Sequence, residues 1–320
     1  MSRRGKNSCL HLPIAPLCPQ GLNTGMDLPP QDGHAAQPDA AAPPFRLLRP
    51  PSQTVPLVFA SAHSGALYTE RFVASTRLDA VSLRRSEDCF VDELFAAAPD
   101  HGAPLLAATF PRAFCDANRE AWELDPAMFL DALPSWVNTT SGRVLAGLGT
   151  IPRVVSSGDP IYRGKLRFAD AEARVRACWQ PFHDSLRALV EATRARFGSC
   201  LLIDCHSMPA GLPNARAESD IVLGDAHGTA CSGRTVRRVE QFLGDLGYRV
   251  RRNDPYAGGF ITRHYGRPRD GVEALQIELC RSLYLDEARL EKLPGFAVVQ
   301  RNMSVLIGTL ATAARDAAQA

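Results

Sequence analysis

From Val55 to the C-terminus, short apolar runs with the composition of β-strands alternate with segments of helical periodicity. A chain that alternates strands with helices is expected to fold into a sheet covered by helices, which is the α/β class. The strands are predicted at residues 55–60, 104–109, 200–204 and 274–279, and the helices at residues 91–98, 170–197, 235–246 and 294–318. Pro181 lies inside the longest of these helices and is expected to kink or interrupt it.

Residues 1–46 show neither pattern and are predicted to be a disordered, proline-rich leader. Ten of the chain's 24 prolines fall between Pro13 and Pro51, with no apolar periodicity between them. Residues 47–320 are then expected to form a single catalytic domain. Met26 is the expected natural start of the chain, and an intact mass corresponding to Met1 would contradict this expectation.

Charge and cysteine usage exclude several classes of protein. The chain has 36 Lys and Arg against 34 Asp and Glu, a net charge of +2, which argues against the basic face that nucleic-acid binding needs. No run of 18 apolar residues occurs, so no membrane span is expected. The nine cysteines include no C-x-x-C pair, which favours free thiols in a reducing, cytoplasmic compartment. The oligomeric state is left open.

Several common catalytic motifs are missing from the sequence. It contains no G-x-S-x-G, H-E-x-x-H or G-x-x-x-x-G-K-[ST] pattern. Gly147 and Gly149 are not followed by the third glycine of a dinucleotide-binding loop, because position 152 is proline. The sequence therefore argues against four classes of protein: serine hydrolases of the α/β-hydrolase fold, zincins, P-loop proteins and Rossmann dehydrogenases.

Two histidines each follow an apolar strand-like run. His63 and His206 are both followed by serine, and loops at the carboxyl ends of strands converge on the ligand site of an open α/β sheet. Histidine pairs are natural ligands of a divalent metal, and a catalytic zinc site usually has three protein ligands. The acidic candidates for the third ligand are Glu87 and Asp88, although both could instead cap the helix that follows them.

A second cluster combines Arg112, Asn118 and Arg119. The guanidinium groups could pair with a substrate carboxylate in a bidentate manner. The alternative interpretation is that these arginines form ordinary surface ion pairs with Asp116 and Glu120.

Glu278 lies alone within an apolar strand. Burial of a carboxylate is costly unless the group is paired or functional, so this residue is the best candidate for a general base. The alternative is a structural ion pair, for example with Arg281.

Taken in their order along residues 58–284, these segments resemble the N-formylglutamate amidohydrolase family. The resemblance is carried by Ala62-His63-Ser64-Gly65, Glu87-Asp88, Val91-Asp92-Glu93-Leu94, Pro111-Arg112, Asp116-Ala117-Asn118-Arg119, Glu123-Leu124-Asp125-Pro126, Asp204-Cys205-His206-Ser207-Met208-Pro209, Asn253-Asp254-Pro255-Tyr256-Ala257-Gly258-Gly259 and Gln276-Ile277-Glu278.

The resemblance implies an α/β domain similar to the zinc carboxypeptidases and aspartoacylases, with a central mixed sheet flanked by helices. It implies that His63, Asp88 and His206 bind one Zn²⁺ per chain. The family pattern places an aspartate at position 88, so Asp88 is expected here and Glu87 is kept as the alternative. The carboxypeptidase-like relatives carry a glutamate three residues after the first histidine, whereas this chain has Ala66.

The resemblance also implies roles for the remaining candidates. Glu278 would activate water, Arg112 would stabilise the oxyanion, and Asn118 with Arg119 would bind a substrate carboxylate. The second carboxylate would be bound by Arg263 or His264, in a glycine-rich loop at residues 258–266 that is expected to act as a lid.

The implied substrate is N-formyl-L-glutamate, which would be hydrolysed to formate and glutamate at the end of a histidine-degradation route. Two alternatives remain open. One is a zinc amidase or deacylase that acts on another acyl-amino acid or on a cell-wall fragment. The other is a non-catalytic carboxylate-binding protein.

Overall fold

The computed structural model describes residues 43–211 and 219–319. Most of the predicted leader, together with the predicted start at Met26, lies outside the described residues. The first strand begins at Phe45, two residues before the predicted domain.

The strands are β1 (Phe45–Leu48), β2 (Leu57–Ser61), β3 (Leu105–Ala108), β4 (Cys200–Met208), β5 (Ile221–Gly224), β6 (Val250–Arg252), β7 (Val272–Cys280), β8 (Leu285–Asp286) and β9 (Glu291–Lys292). The α-helices are α1 (Glu70–Ser75), α2 (Ala80–Arg84), α3 (Val91–Leu94), α4 (Gly142–Leu145), α5 (Phe168–Arg174), α6 (Gln180–Phe197), α7 (Gly233–Asp245), α8 (Phe260–Tyr265) and α9 (Phe296–Gln319). No helix in these two ranges is long and apolar enough to cross a membrane.

Seven of the strands form one mixed sheet in the order β1-β3-β2-β4-β7-β5-β6. The four central strands, from β3 to β7 in this order, are parallel to one another. Strand β1 pairs antiparallel with β3, and β5 pairs antiparallel with β7. The prediction of an α/β domain with a central mixed sheet is therefore confirmed.

Side chains alternate between the two faces of the sheet, as the strand period of two requires. Leu202 of β4 and Ala274 of β7 belong to the apolar cluster that contains Leu186 of α6. Ile203 and Leu275, their neighbours along these strands, belong to the other cluster, with side chains from α3, α7 and α9. Helices therefore cover both faces of the sheet. Where both faces of a strand are buried, its sequence is expected to be continuously apolar.

The face that packs on α6 becomes polar towards the carboxyl ends of β4 and β7. Continuing at every second residue, Leu202 is followed by Asp204 and His206, and Ala274 is followed by Gln276 and Glu278. All four polar residues are buried. This end of the sheet is the place where the fold can position a site.

The long helical segment is interrupted as predicted, but the interruption begins before Pro181. A π-helical turn, Val175–Trp179, joins α5 to α6. Pro181 then occupies the first turn of α6, directly after this π-helical turn.

Candidate active site

His63 follows β2 by two residues, and its backbone is fixed by neighbouring segments. The carbonyl of His63 accepts a hydrogen bond from the N–H of Asp88. Gly65 lies against the next loop so closely that a Cβ atom there would be 2.2 Å from the carbonyl oxygen of Phe110. The glycine in this motif is therefore required by close backbone packing.

His206 lies within β4, because the strand continues to Met208 and does not end at residue 204 as predicted. Its side chain meets His63 across the end of the sheet, with ring centroids 4.7 Å apart. Nδ1 of His206 lies 2.8 Å and Nδ1 of His63 lies 3.4 Å from Oδ2 of Asp88. One ligand atom from each of the three residues lies within 4.8 Å of the others.

This group has the properties of a metal site. His63, Asp88 and His206 are each at most 2% exposed. Nδ1 of His63 is buried and has no hydrogen-bond partner, which is a costly arrangement for a polar atom unless something else binds it. Imidazole nitrogens with one carboxylate oxygen suit zinc and related divalent cations. The group could therefore hold a divalent metal.

The far nitrogen of each histidine faces a buried carboxylate. Nε2 of His63 lies 2.7 Å from Oδ1 of Asp116, and Nε2 of His206 lies 2.8 Å from Oδ1 of Asp204. A carboxylate at this position fixes the tautomer and leaves Nδ1 available as a ligand. Sequence reasoning treated Asp116 only as an ion-pair partner and did not consider Asp204, although Asp204 lies two residues before His206 on one face of a strand.

Asp116 is held in its charged form by positive neighbours. Its Oδ2 accepts a hydrogen bond from Nε of Arg112 at 2.9 Å, and its Oδ1 accepts one from the N–H of Asn118. Burial opposes ionisation, but Arg112, Arg119 and His63 hold the pKa of Asp116 well below its usual range. The carboxylate therefore remains an acceptor for His63.

Asp88 and Glu87, the two candidate acidic ligands, point in different directions. Oδ1 of Asp88 accepts hydrogen bonds from Ser207 and Arg281, each at 3.1 Å, while its Oδ2 faces the histidines. Glu87 accepts hydrogen bonds from Arg84 instead, at 3.0 Å. Neither carboxylate caps α3, whose N-cap residue is Phe90 and which has no side-chain cap hydrogen bond.

Glu278 stands opposite His206 in the register of β4 and β7. It is 7% exposed, and its Oε1 accepts a hydrogen bond from Nε2 of Gln276 at 2.9 Å. Burial raises the pKa of this carboxyl to about 7, with His206 opposing the shift and Asp88 adding to it. A carboxyl with a pKa near neutrality is suited to general acid–base chemistry.

These residues line one cavity of about 350 Å³. Five arginines face it, namely Arg112, Arg119, Arg143, Arg263 and Arg281. Three carboxylates face it as well, those of Asp88, Asp116 and Glu278. With neutral histidines and all three carboxylates ionised, the cavity carries an excess of two positive charges, which favours an anionic ligand.

Asn118 and Arg119 line the cavity, but the fold already uses much of their hydrogen-bonding capacity. Oδ1 of Asn118 accepts from the N–H of Ile261, and its Nδ2 lies 3.0 Å from Nε2 of His206. Arg119 donates through Nε to the carbonyl of Leu148 and through Nη1 to that of Asn118. The Nη2 end of Arg119 lies 3.8 Å from Asp116 and makes no hydrogen bond to the described residues.

The predicted loop at residues 258–266 is largely helix α8, so the loop prediction is wrong at its centre. Helical periodicity places Ile261, Thr262 and Tyr265 on a buried face, and Arg263 is exposed and lines the cavity. His264 is not among the residues that line the cavity; its ring stacks on Phe260. Sequence reasoning also missed Arg143, which lines the cavity from α4.

The chain matches the family model described as N-formylglutamate amidohydrolase over residues 55–285. The chain belongs to this family. It is 28% identical over 238 residues to an N-formylglutamate deformylase of Pseudomonas putida, and 30% identical over 239 residues to one of Pseudomonas aeruginosa. In both cases the match covers 73% of this chain and 83% of the relative.

Two solved structures are similar to the fold. A crystal structure of N-formylglutamate amidohydrolase from Ralstonia eutropha superposes with a TM-score of 0.82 and 36% identity, covering 86% of this chain and 100% of the other. A gene product of Agrobacterium tumefaciens superposes with a TM-score of 0.61 and 18% identity, covering 85% and 94% of the two chains. The second likeness shows the fold alone.

Proposed function

We propose that this protein is a zinc-dependent hydrolase that cleaves the amide bond of N-formyl-L-glutamate, releasing formate and L-glutamate. The observation that carries the proposal is the buried group of His63, Asp88 and His206 beside Glu278, in one positively charged cavity. The deformylase names of the Pseudomonas relatives supply the substrate.

His63 and His206, through Nδ1, and Asp88, through Oδ2, would hold the metal. A bound Zn²⁺ supplies Lewis-acid chemistry, which lowers the pKa of a coordinated water from about 15.7 to about 7. Asp116 and Asp204 keep the two imidazoles in the tautomer that this role needs.

Glu278 takes the proton of the attacking water and then delivers it to the departing amine nitrogen. One group can act first as base and then as acid when its pKa lies near the working pH. Arg112 faces the same cavity and stabilises the negative charge that develops on the formyl oxygen.

The substrate carries two carboxylates, which matches the positive excess of the cavity. We assign one carboxylate to Arg119, through its Nη2 end, with Asn118 beside it. The other carboxylate is assigned to Arg263. His264 is a poor candidate for this role because it is not among the residues that line the cavity.

The cytoplasm is the proposed site of the reaction, as a step of histidine degradation. The proposal is supported by the seven cysteines of the described residues, all of which are buried and free. Such thiols are typical of a reducing compartment.

Activity and metal content together test the proposed function. N-formyl-L-glutamate should be hydrolysed faster than its acetyl and succinyl analogues. Mass spectrometry should find about one zinc per chain, lost in His63→Ala and His206→Ala. His227→Asn changes an exposed histidine outside the cavity to a residue that tolerates its left-handed backbone, and this control should keep the metal.

Two outcomes contradict the proposal in different ways. Faster hydrolysis of another acyl-amino acid would contradict the proposed substrate but would be compatible with the proposed metal centre. Wild-type protein that takes up no metal from a zinc solution would remove the mechanism in favour of a non-catalytic carboxylate-binding protein.

A further inference from the structure

The five arginines of the cavity differ in what they contact. Arg112 is paired with Asp116, Arg281 with Asp88, and Arg119 is held by two backbone carbonyls. Arg143 and Arg263 are both solvent-exposed, and neither side chain forms a hydrogen bond or ion pair with a residue in the described ranges. These two guanidinium groups are therefore available to a ligand.

The segment that carries Arg143 is fixed to its surroundings. Ser141 caps α4, since its Oγ accepts a hydrogen bond from the N–H of Val144 at 3.1 Å. Gly149 lies so close to the chain at Glu123 that a Cβ atom would be 2.1 Å from that carbonyl oxygen. A helix start and a close backbone contact thus hold the segment on either side of Arg143.

The same segment is hydrogen-bonded directly to residues of the site. The carbonyl of Leu148 accepts from Nε of Arg119 at 2.8 Å, and the carbonyl of Thr150 accepts from the N–H of Asp116 at 2.7 Å. Arg143 is therefore presented to the cavity by a wall that is part of the active site.

Arg143 and Arg119 are close enough to repel each other. Burial lowers the pKa of Arg119 to about 10, and the nearby charges of Arg112 and Arg143 add to this effect, while Asp116 opposes it. A carboxylate bound to the exposed guanidinium of Arg143 would offset this repulsion and provide hydrogen-bond acceptors for Arg143.

We infer that Arg143 is a specificity-determining residue, which binds the side-chain carboxylate of the substrate and thereby selects acyl-amino acids with an anionic side chain. The inference rests on the proposed function and adds to it a residue that selects the substrate. Arg143 is the new element, and Arg263 is its expected neighbour on the same carboxylate.

The test compares N-formyl-L-glutamate with N-formyl-L-glutamine, which has the same shape and no side-chain charge. In Arg143→Met, kcat/KM for the glutamate compound should fall about 10- to 100-fold, mainly through KM, because a charge-assisted hydrogen bond is lost. The value for the glutamine compound should change less than about threefold, since that compound never makes the ion pair. Arg143→Lys should restore part of the preference.

Arg301→Met is the matched control, because it removes an exposed arginine of α9 that does not line the cavity. It should leave both kinetic values unchanged. Equal losses for the two substrates in Arg143→Met, or no loss for either, would overturn the inference.

A binding measurement separates this inference from the proposed function. Calorimetry with N-formyl-L-glutamate, in the Glu278→Gln background, reports affinity without turnover. If affinity depends on Arg143 but the wild-type protein does not hydrolyse this compound, the proposed function is contradicted and the inference stands. Equal affinity with and without Arg143, including no binding by either protein, would overturn the inference.

Discussion

The two oxygens of Asp88 have separate partners. Oδ1 is held by Ser207 and by Arg281, while Oδ2 is directed at the histidines. Arg281 is 6% exposed and also donates to the backbone carbonyl of Glu87 at 2.6 Å. The guanidinium therefore fixes the orientation of Asp88, and its charge offsets part of the cost of burying the carboxylate.

Replacing Glu278 by glutamine tests its proposed role as the base. Gln has nearly the same shape but cannot accept a proton, so kcat should fall by at least about 10²-fold. The metal content should not change, because Glu278 is outside the group of three candidate metal ligands. Steady-state hydrolysis and metal analysis of the same sample measure both properties.

Glu273→Gln is the control for this substitution, since Glu273 lies on β7 but does not line the cavity. It should retain its activity. A Glu278→Gln protein with wild-type activity would show that another group accepts the proton.

Helix α8 binds two of the residues that contact His206. The N–H of Ile261 donates to Oδ1 of Asn118 at 2.8 Å, and Oγ1 of Thr262 donates to Oδ2 of Asp204 at 3.0 Å. The helix starts after Gly259, where a Cβ atom would lie 2.3–2.5 Å from the amide group of Asn118. Gly259 therefore allows the approach of Asn118 to His206.

Gly259→Ala should disturb this arrangement. The added methyl must displace the Asn118 amide, so we expect the free energy of unfolding to fall by about 1–3 kcal/mol. Activity should fall with it, because Asn118 contacts His206. Urea unfolding and hydrolysis assays measure the two effects.

Gly244→Ala is a matched control in α7, where a Cβ atom meets nothing within 4 Å. This change should stabilise the protein by about 0.5–1 kcal/mol, because alanine favours the helix. Equal effects of the two substitutions would refute the packing argument for Gly259.

At the scale of the whole molecule, His183 joins α6 to the segment that carries Arg112 and Asn118. Its Nε2 lies 2.8 Å from the carbonyl oxygen of Ala117, and its Nδ1 lies 3.1 Å from the hydroxyl of Tyr265. His183 is 1% exposed, and burial lowers its pKa to about 4. The folded protein therefore keeps this imidazole neutral.

This burial predicts how the stability depends on pH. In the unfolded chain His183 takes up a proton below its ordinary pKa of 6.5, whereas in the folded protein it does so only near 4. The stability that the folded protein gains at high pH by keeping His183 neutral is thus fully present above pH 6.5. It is lost as the pH falls from 6.5 to 4. The loss should amount to about 3 kcal/mol, at about 1.4 kcal/mol for each pKa unit.

Denaturant unfolding between pH 4 and 8 measures this dependence. In His183→Gln, the free energy of unfolding should depend less steeply on pH, whatever the absolute stability of the variant. The control His227→Asn, which replaces an exposed histidine, should keep the wild-type pH dependence. An unchanged slope in His183→Gln would assign the pH dependence to other groups.

The sequence by itself determined the α/β class and the family. The class follows because the alternation of strand-like and helical runs is a local property. The residue types His63, His206 and Glu278 also stand out locally, since they are polar groups at or inside apolar strands. Short motifs in a fixed order carried the family resemblance without any knowledge of contacts.

Only the tertiary structure shows that Asp88 faces the two histidines while Glu87, its neighbour in sequence, pairs with Arg84. It also paired each histidine with a supporting carboxylate, replaced the expected loop with α8, and placed Arg143 on the cavity wall. These features depend on contacts between residues far apart in the chain. Local periodicity and composition do not contain such contacts, because they arise only when the sheet brings the ends of β2, β4 and β7 together.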